Sequence, residues 1–261
     1  MQKNLTDYIF KNDVLNYESH LNGFTDSIFQ SFDSKSKELN LESKIDDLLT
    51  GKIVNISENQ AAWHPKYRRK FDSIIPTKEN KSKYKNVVTL GIGGSFEGPK
   101  LLIESLHDSN SDINHIFITG SDAYEFKDKV SNLNPDETIF IVSSKSFTTD
   151  ETLETLKEAI KWSGMMEKFI AITANKEEAA KYNIEEIIEF DKEIGGRYSI
   201  WSDINLPALY GPKSNFDPKL FLKGGHQADL DIQNNSDYLN FIKTLSFSDI
   251  WFNNFAGKNT R

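Results

Sequence analysis

"VVTLGIGGSFEGPKLL", residues 87–102, runs from a β-rich apolar stretch through a glycine cluster into a helical pattern. Glycine permits positive φ and lets backbone amides come close to a ligand, and a helix starting there directs its positive end at an anion. The stretch therefore reads as the strand-to-helix turn of a parallel sheet with an anion held at it. A tight turn without ligand is the alternative. Two nucleotide motifs come near and fail. Gly91 and Gly93 open a G-x-G-x-x-G pattern, but Phe96 stands in place of the third glycine. Gly93 and Gly98 have P-loop spacing, but Pro99 displaces Lys100 from the position that motif requires.

Downstream, β-rich apolar runs recur at 86–92, 115–120, 138–144, 169–175 and 185–190, separated by helix-like segments at 98–108, 122–131, 150–165 and 176–182. Continuous apolar strands alternating with helices predict an α/β fold, a parallel β-sheet sandwiched by helices. Residues 203–210 and 218–229 are expected to be helical, followed by a longer amphipathic helix over about 237–255. Upstream, residues 1–80 show apolar spacings of three and four and no strand pattern, which predicts an N-terminal helical segment. Within it, Ser57 is the expected cap of a helix that Pro65 breaks or redirects. "PTKENKSKYKN" (76–86) reads as a solvated connector.

The composition excludes several function classes. The 261 residues contain no cysteine, so disulfides, thiol nucleophiles and thiolate metal sites are absent. The 5 histidines are scattered without metal-ligand spacing. A net charge of −8 with interspersed signs argues against nucleic acid or an anionic membrane as partner. The N-terminus lacks a signal-peptide pattern and no run approaches membrane-spanning length, so the cytoplasm is expected. Basic residues are mostly lysine; arginine occurs at 68, 69, 197 and 261, which raises the question of what lysine could not do there.

Two further loops join the first at the expected carboxyl edge of the sheet, where ligands of parallel α/β folds sit. "SSKSFTTDET" (143–152) carries Ser144, Ser146, Thr148 and Thr149 around Lys145, just before a helix. Plain helix capping would need one hydroxyl, whereas the run can supply several donors to a tetrahedral anion. "IGGRYSIWSDINLPAL" (194–209) presents Arg197 behind Gly195 and Gly196. An always-charged guanidinium at that edge suits a developing oxyanion; a surface salt bridge is the alternative, and Trp201 reads as packing.

With these three loops the chain resembles the glucose-6-phosphate isomerase (phosphoglucose isomerase) family. "GIGGSFEGP", "SSKSFTTDET" and "GGRYSIWSDINLPAL" occur in that family's order, and the third is close to a family signature. "NISENQAAWHPKYR", "GGHQADLD" and "WFNNFAGKNT" are similar to other family stretches. The likeness spans essentially the whole chain but about the first half of a family chain. It implies two sugar isomerase (SIS) domains, each a parallel α/β sandwich. Residues 81–235 would be the first, after the 1–80 segment, and 236–261 the start of the second half; the end at "NNFAGKNTR" is accordingly expected to be a cut.

The resemblance further implies an aldose–ketose isomerase of glycolysis and gluconeogenesis. It would interconvert glucose 6-phosphate and fructose 6-phosphate without metal or organic cofactor, as a homodimer of complete chains. Carried over by position, Ser95, Ser144, Lys145, Ser146 and Thr149 bind the substrate phosphate, with Thr148 beside them. Gly94 lies against the sugar and Arg197 stabilises the enediolate. The sequence departs from the family pattern at Ser146 (usually threonine), at Phe96-Glu97 and at Gln60 (usually arginine). The family's base, a glutamate in an "ESNGK"-like motif, its assisting histidine and its late lysine have no counterpart here. Glu97 and Glu151 are the nearest carboxylates and match no base motif; His64 and His226 are expected to be structural. The chain alone is therefore expected to be inactive. The rival is a non-catalytic SIS module that binds a phosphosugar; a nucleotide enzyme fails both motif tests.

Overall fold

A computed structural model of the chain describes residues 8–57, 59, 61–70, 84–106, 113–209 and 217–256. Gln60, His107, Arg261 and most of the connector at 76–86 lie outside them.

The described chain opens with a hairpin, β1 (Tyr8–Lys11) antiparallel to β2 (Asn16–Ser19), followed by α1 (Asp26–Glu38) and α2 (Leu41–Thr50). The hairpin corrects the all-helical expectation for this region. Its turn is closed by Asn12, whose Oδ1 accepts from the amides of Val14 (3.0 Å) and Leu15 (2.7 Å), a local bond that competes with helix. The helix expected from Ser57 is also absent among the described residues. Ser57 Oγ donates to Asn55 Oδ1 (2.8 Å), and the helix present is the single turn α3 (Pro65–Arg68). Pro65 starts that turn, at a position where its missing N–H costs nothing.

The expected α/β pattern follows: β3 (Asn86–Leu90), α4 (Gly94–Leu106), β4 (Asn114–Ile118), α5 (Ala123–Val130), β5 (Thr138–Ser143), α6 (Asp150–Ser163), β6 (Phe169–Thr173), α7 (Lys176–Ala180) and β7 (Glu186–Glu189). The strands form one parallel sheet in the order β4-β3-β5-β6-β7. β3, β5 and β6 are buried along their whole length. Alternate side chains therefore enter two different cores. Val88, Leu90, Phe140, Val142 and Ala171 meet Phe126 and Val130 of α5, Leu156 and Ala159 of α6 and Ala179 of α7. Val87, Ile139, Ile141, Ile170 and Ile172 pack with Tyr67, Ile204 and Leu206 on the other side. The expected helix near 203–210 is 3-10 helix, Asp203–Leu209, preceded by another, Gly196–Trp201. Leu102 and Ile103 of α4 pack on them through Ile200, Ala208 and Leu209. The chain continues with α8 (Pro218–Asn234) and α9 (Ser236–Trp251), which ends in a wider turn at Phe252–Ala256.

Two compact units emerge, Thr50–Gly225 and Met1–Leu49 with His226–Arg261. The first holds the parallel sheet. The second has its own core of Leu21, Phe24 and Phe247, and Phe10 of the hairpin stacks on Phe241 of α9 at 4.2 Å. In it the buried Lys243 of α9 bonds Asp33 of α1 (3.0 Å) and Glu42 of α2 (3.2 Å). Among the described residues no helix is long and apolar enough to cross a membrane.

Candidate active site

In the parallel sheet the strand order reverses at β3. β4 lies on one side of it and β5 on the other, so the topological switch point is the crevice at the carboxyl ends of β3 and β5. The glycine loop leaves β3 there and the hydroxyl loop leaves β5. At Gly91 an added Cβ would stand 2.8 Å from the carbonyl oxygen of Ser143 and 2.9 Å from Ser95 Cβ. Only glycine lets the two loops come this close, and Ser95 is drawn into the same contact. At Gly94 a Cβ would fall 1.8 Å from the Gly196 carbonyl oxygen and 2.6 Å from Ser199 Oγ. The third loop thus rests on the first turn of α4, one residue from Arg197. Three segments far apart in sequence converge on one crevice.

The hydroxyl loop is internally organised. Ser144 is buried; its amide donates to the Ile172 carbonyl (3.1 Å), and its Oγ accepts from the Phe147 amide (3.1 Å) and lies 3.2 Å from Thr149 Oγ1. The Lys145 carbonyl accepts from Thr173 Oγ1 (3.1 Å) and the Ala174 amide (3.0 Å), which ties the loop to β6. Phe147 has φ 53°, a left-handed conformation that costs a non-glycine residue about 1 kcal/mol or more. Its ring is buried in the sheet core, an offsetting gain of about 2 kcal/mol. The anchored ring turns Ser146 and Thr148 outward. Both are exposed, and Ser146 Oγ accepts from the Thr148 amide (3.2 Å) and hydroxyl (2.7 Å). Thr149 occupies the cap position of α6 but makes no side-chain cap bond. Its hydroxyl faces Ser144 instead, so plain capping does not account for this run.

In the third loop Arg197 is exposed, with its guanidinium carbon 5.3 Å from the Tyr198 ring centre. Trp201 stacks on Phe221 at 4.6 Å and lies under the guanidinium of Arg68 at 4.7 Å, the packing role its sequence context suggested. His64 is half-buried, stacked on Tyr198 at 4.4 Å, and its Nδ1 lies 2.5 Å from Arg68 Nη1. Burial, with the Arg68 charge beside it, pushes the His64 pKa down to about 4. The ring is neutral at pH 7, which makes Nδ1 the acceptor and Arg68 the donor. Glu97 and Glu151 are both exposed.

Of the sequence candidates, Gly94, Ser95, Ser144, Lys145, Ser146, Thr148, Thr149 and Arg197 all lie on these three loops or the helix starts that follow them. Sequence reasoning missed Ser143, whose Oγ is buried without a hydrogen-bond partner beneath the Gly91 contact, and likewise Thr152 on the first turn of α6. It also missed the anchoring role of Phe147 and the stack of His64 on Tyr198. A bulky apolar residue inside a hydroxyl run was the available signal for Phe147.

A family model described as phosphoglucose isomerase matches residues 77–261. The glucose-6-phosphate isomerase of Legionella pneumophila (strain Paris) is 33% identical over 255 residues, covering 84% of this chain and 51% of that protein. That of Buchnera aphidicola subsp. Acyrthosiphon pisum (strain Tuc7) is 28% identical over 292 residues, covering 97% and 53%. The chain thus spans about half the length of the curated relatives it matches. Among solved structures, a glucose-6-phosphate isomerase from Chlamydia trachomatis superposes with TM-score 0.69 at 18% identity, over 87% of this chain and 50% of that one. A hypothetical protein from Thermus thermophilus does so at 0.61 and 21%, over 86% and 54%. At these identities the superpositions speak for the fold alone.

Proposed function

We propose, for a chain that belongs to the phosphoglucose isomerase family, that the crevice between β3 and β5 binds the phosphate of a hexose 6-phosphate. In this reading the protein interconverts glucose 6-phosphate and fructose 6-phosphate in the cytoplasm, as a step of glycolysis and gluconeogenesis. The observation that carries this reading is the convergence of the three loops, with Gly91 against Ser143 and Gly94 against Gly196. In this reading Ser95, Ser144, Ser146, Thr148 and Thr149 supply hydroxyl donors and Lys145 supplies charge. Ser144 pairs with Thr149 and Ser146 with Thr148, and each hydroxyl can rotate to donate to an anion. Gly94, whose missing side chain lets the Gly196 carbonyl close on α4, lies against the sugar together with the third loop, and Arg197 stands ready for the negative oxygen of an enediolate.

Moving a proton between C1 and C2 requires a base within hydrogen-bond reach. Glu97 and Glu151 are exposed on α4 and α6 and match no base motif, so in this reading residues 1–261 contribute binding and charge stabilisation while the base comes from elsewhere. The SIS assignment of residues 81–235 and a homodimeric working state belong to the same proposal. A coupled isomerase assay and phosphate titration of the purified chain test it together. Phosphosugar binding in the millimolar range or tighter without turnover is expected; turnover overturns the missing base, and absence of binding overturns the site. The non-catalytic module is the second reading, favoured by the exposed carboxylates, and it predicts binding that no added partner polypeptide converts into turnover.

A further inference from the structure

We propose that His64 is a positioning residue for Arg197, acting through Tyr198. The inference rests on the reading of Arg197 as the cation that meets the enediolate. An arginine carries about 2 kcal/mol of rotamer entropy, and charge stabilisation is effective only when the charge is in place before the reaction. Arg197 is exposed and sits on a short 3-10 segment behind two glycines, a poor support by itself. Beside it lies an aromatic face, the Tyr198 ring at 5.3 Å.

Tyr198 is in turn held from its surroundings. The His64 ring lies over it at 4.4 Å with the planes only 22° apart, and the Tyr198 amide donates to the Gly195 carbonyl (2.9 Å). His64 is oriented by the donor Arg68, which fixes the proton on Nε2. Arg68 is only 5% exposed and lies over the Trp201 ring. A continuous series of contacts, Trp201, Arg68, His64, Tyr198 and Arg197, thus runs from the packed interior to the exposed guanidinium. A neutral ring is needed in the middle of it, because a protonated His64 would lose the Arg68 bond and set two cations in contact. His64 reaches the third loop, the one that carries Arg197, at Tyr198, so its effect should fall on the sugar-oxygen end of the ligand and not on the hydroxyl loop.

The test compares dissociation constants of the full chain for two probes. Inorganic phosphate reports the hydroxyl loops. An aldonic acid phosphate, whose carboxylate carries the charge of an enediolate, reports the loops and Arg197 together. His64→Ala is expected to weaken the aldonate phosphate about tenfold and leave inorganic phosphate within about twofold. His64→Phe keeps the stack on Tyr198 and loses the Arg68 bond, so it should restore most of the loss and guards against a variant that simply fails to fold. Arg197→Ala should weaken the aldonate phosphate at least as much as His64→Ala. Equal weakening of both probes by His64→Ala, or of neither, overturns the positioning role. A wild-type chain that prefers the aldonate phosphate no more than its Arg197→Ala variant does overturns the functional reading itself, and this inference with it.

Discussion

At the scale of single residues, side chains act here mainly through what they allow or hold. Gly91 is the clearest case, since a methyl group there would meet a backbone carbonyl that cannot move aside. Gly91→Ala should destabilise the chain by about 1–3 kcal/mol, read from urea denaturation. It should also weaken phosphate binding more than Ser146→Ala, whose hydroxyl is solvated. Ser144→Ala removes a buried acceptor of the Phe147 amide and should cost both about 1 kcal/mol of stability and a severalfold loss of phosphate affinity. His64 gives a pH signature. Its ring titrates near 6.5 when unfolded and near 4 when folded, so between those values the unfolded chain binds more protons. Its contribution is complete above pH 6.5 and is lost as the pH falls toward 4, on the order of 1–2 kcal/mol after allowance for partial exposure. Thermal melts of the wild type and His64→Gln across that window should converge at the acid end. These residues also mark the limit of what sequence discloses. The glycines and hydroxyls of the crevice are conspicuous by type, whereas Ser143 and His64 matter only because Gly91 and Tyr198, remote in the chain, come to lie against them.

Elements tell a similar story on a larger scale. β3, β5 and β6 were legible because each is a continuous apolar run buried on both faces, and the helices between them follow from spacing alone. The β1–β2 hairpin was not, since each strand has 4 residues and their apolar spacing also fits a helix. Its partner, Phe241, lies at the far end of the sequence. The helices α1, α2 and α9 are joined by charge as well as packing. Lys243 joins α9 to α1 and α2, and the Lys37 bond, reinforced by Lys243, holds the Asp33 carboxyl below the usual carboxylate range. Asp33→Ala leaves a buried ammonium with one remaining partner, half in solvent, and should cost about 3 kcal/mol. Changing the pair together, Asp33→Leu with Lys243→Met, should cost less than Asp33→Ala alone, which a double-mutant cycle in urea would measure.

For the whole molecule, stability is expected to be unevenly spread. Amides of β3, β5 and β6, paired on both sides and covered on both faces, should exchange with solvent more slowly than those of β7 or of the β1–β2 hairpin, as hydrogen exchange can measure. The sheet order has a further consequence, in the time it takes the chain to fold. Asn86 and Thr138 face each other across β3 and β5 although 52 residues separate them, with β4 and its helices strung between. Closing so long a loop costs entropy before any pairing repays it, and parallel pairs of this kind form slowly. The crevice that brings Gly91 against Ser143 cannot exist until that closure is made. Recovery of phosphate binding after dilution from urea is therefore a clock for the docking of β5 on β3, the step on which the central sheet waits.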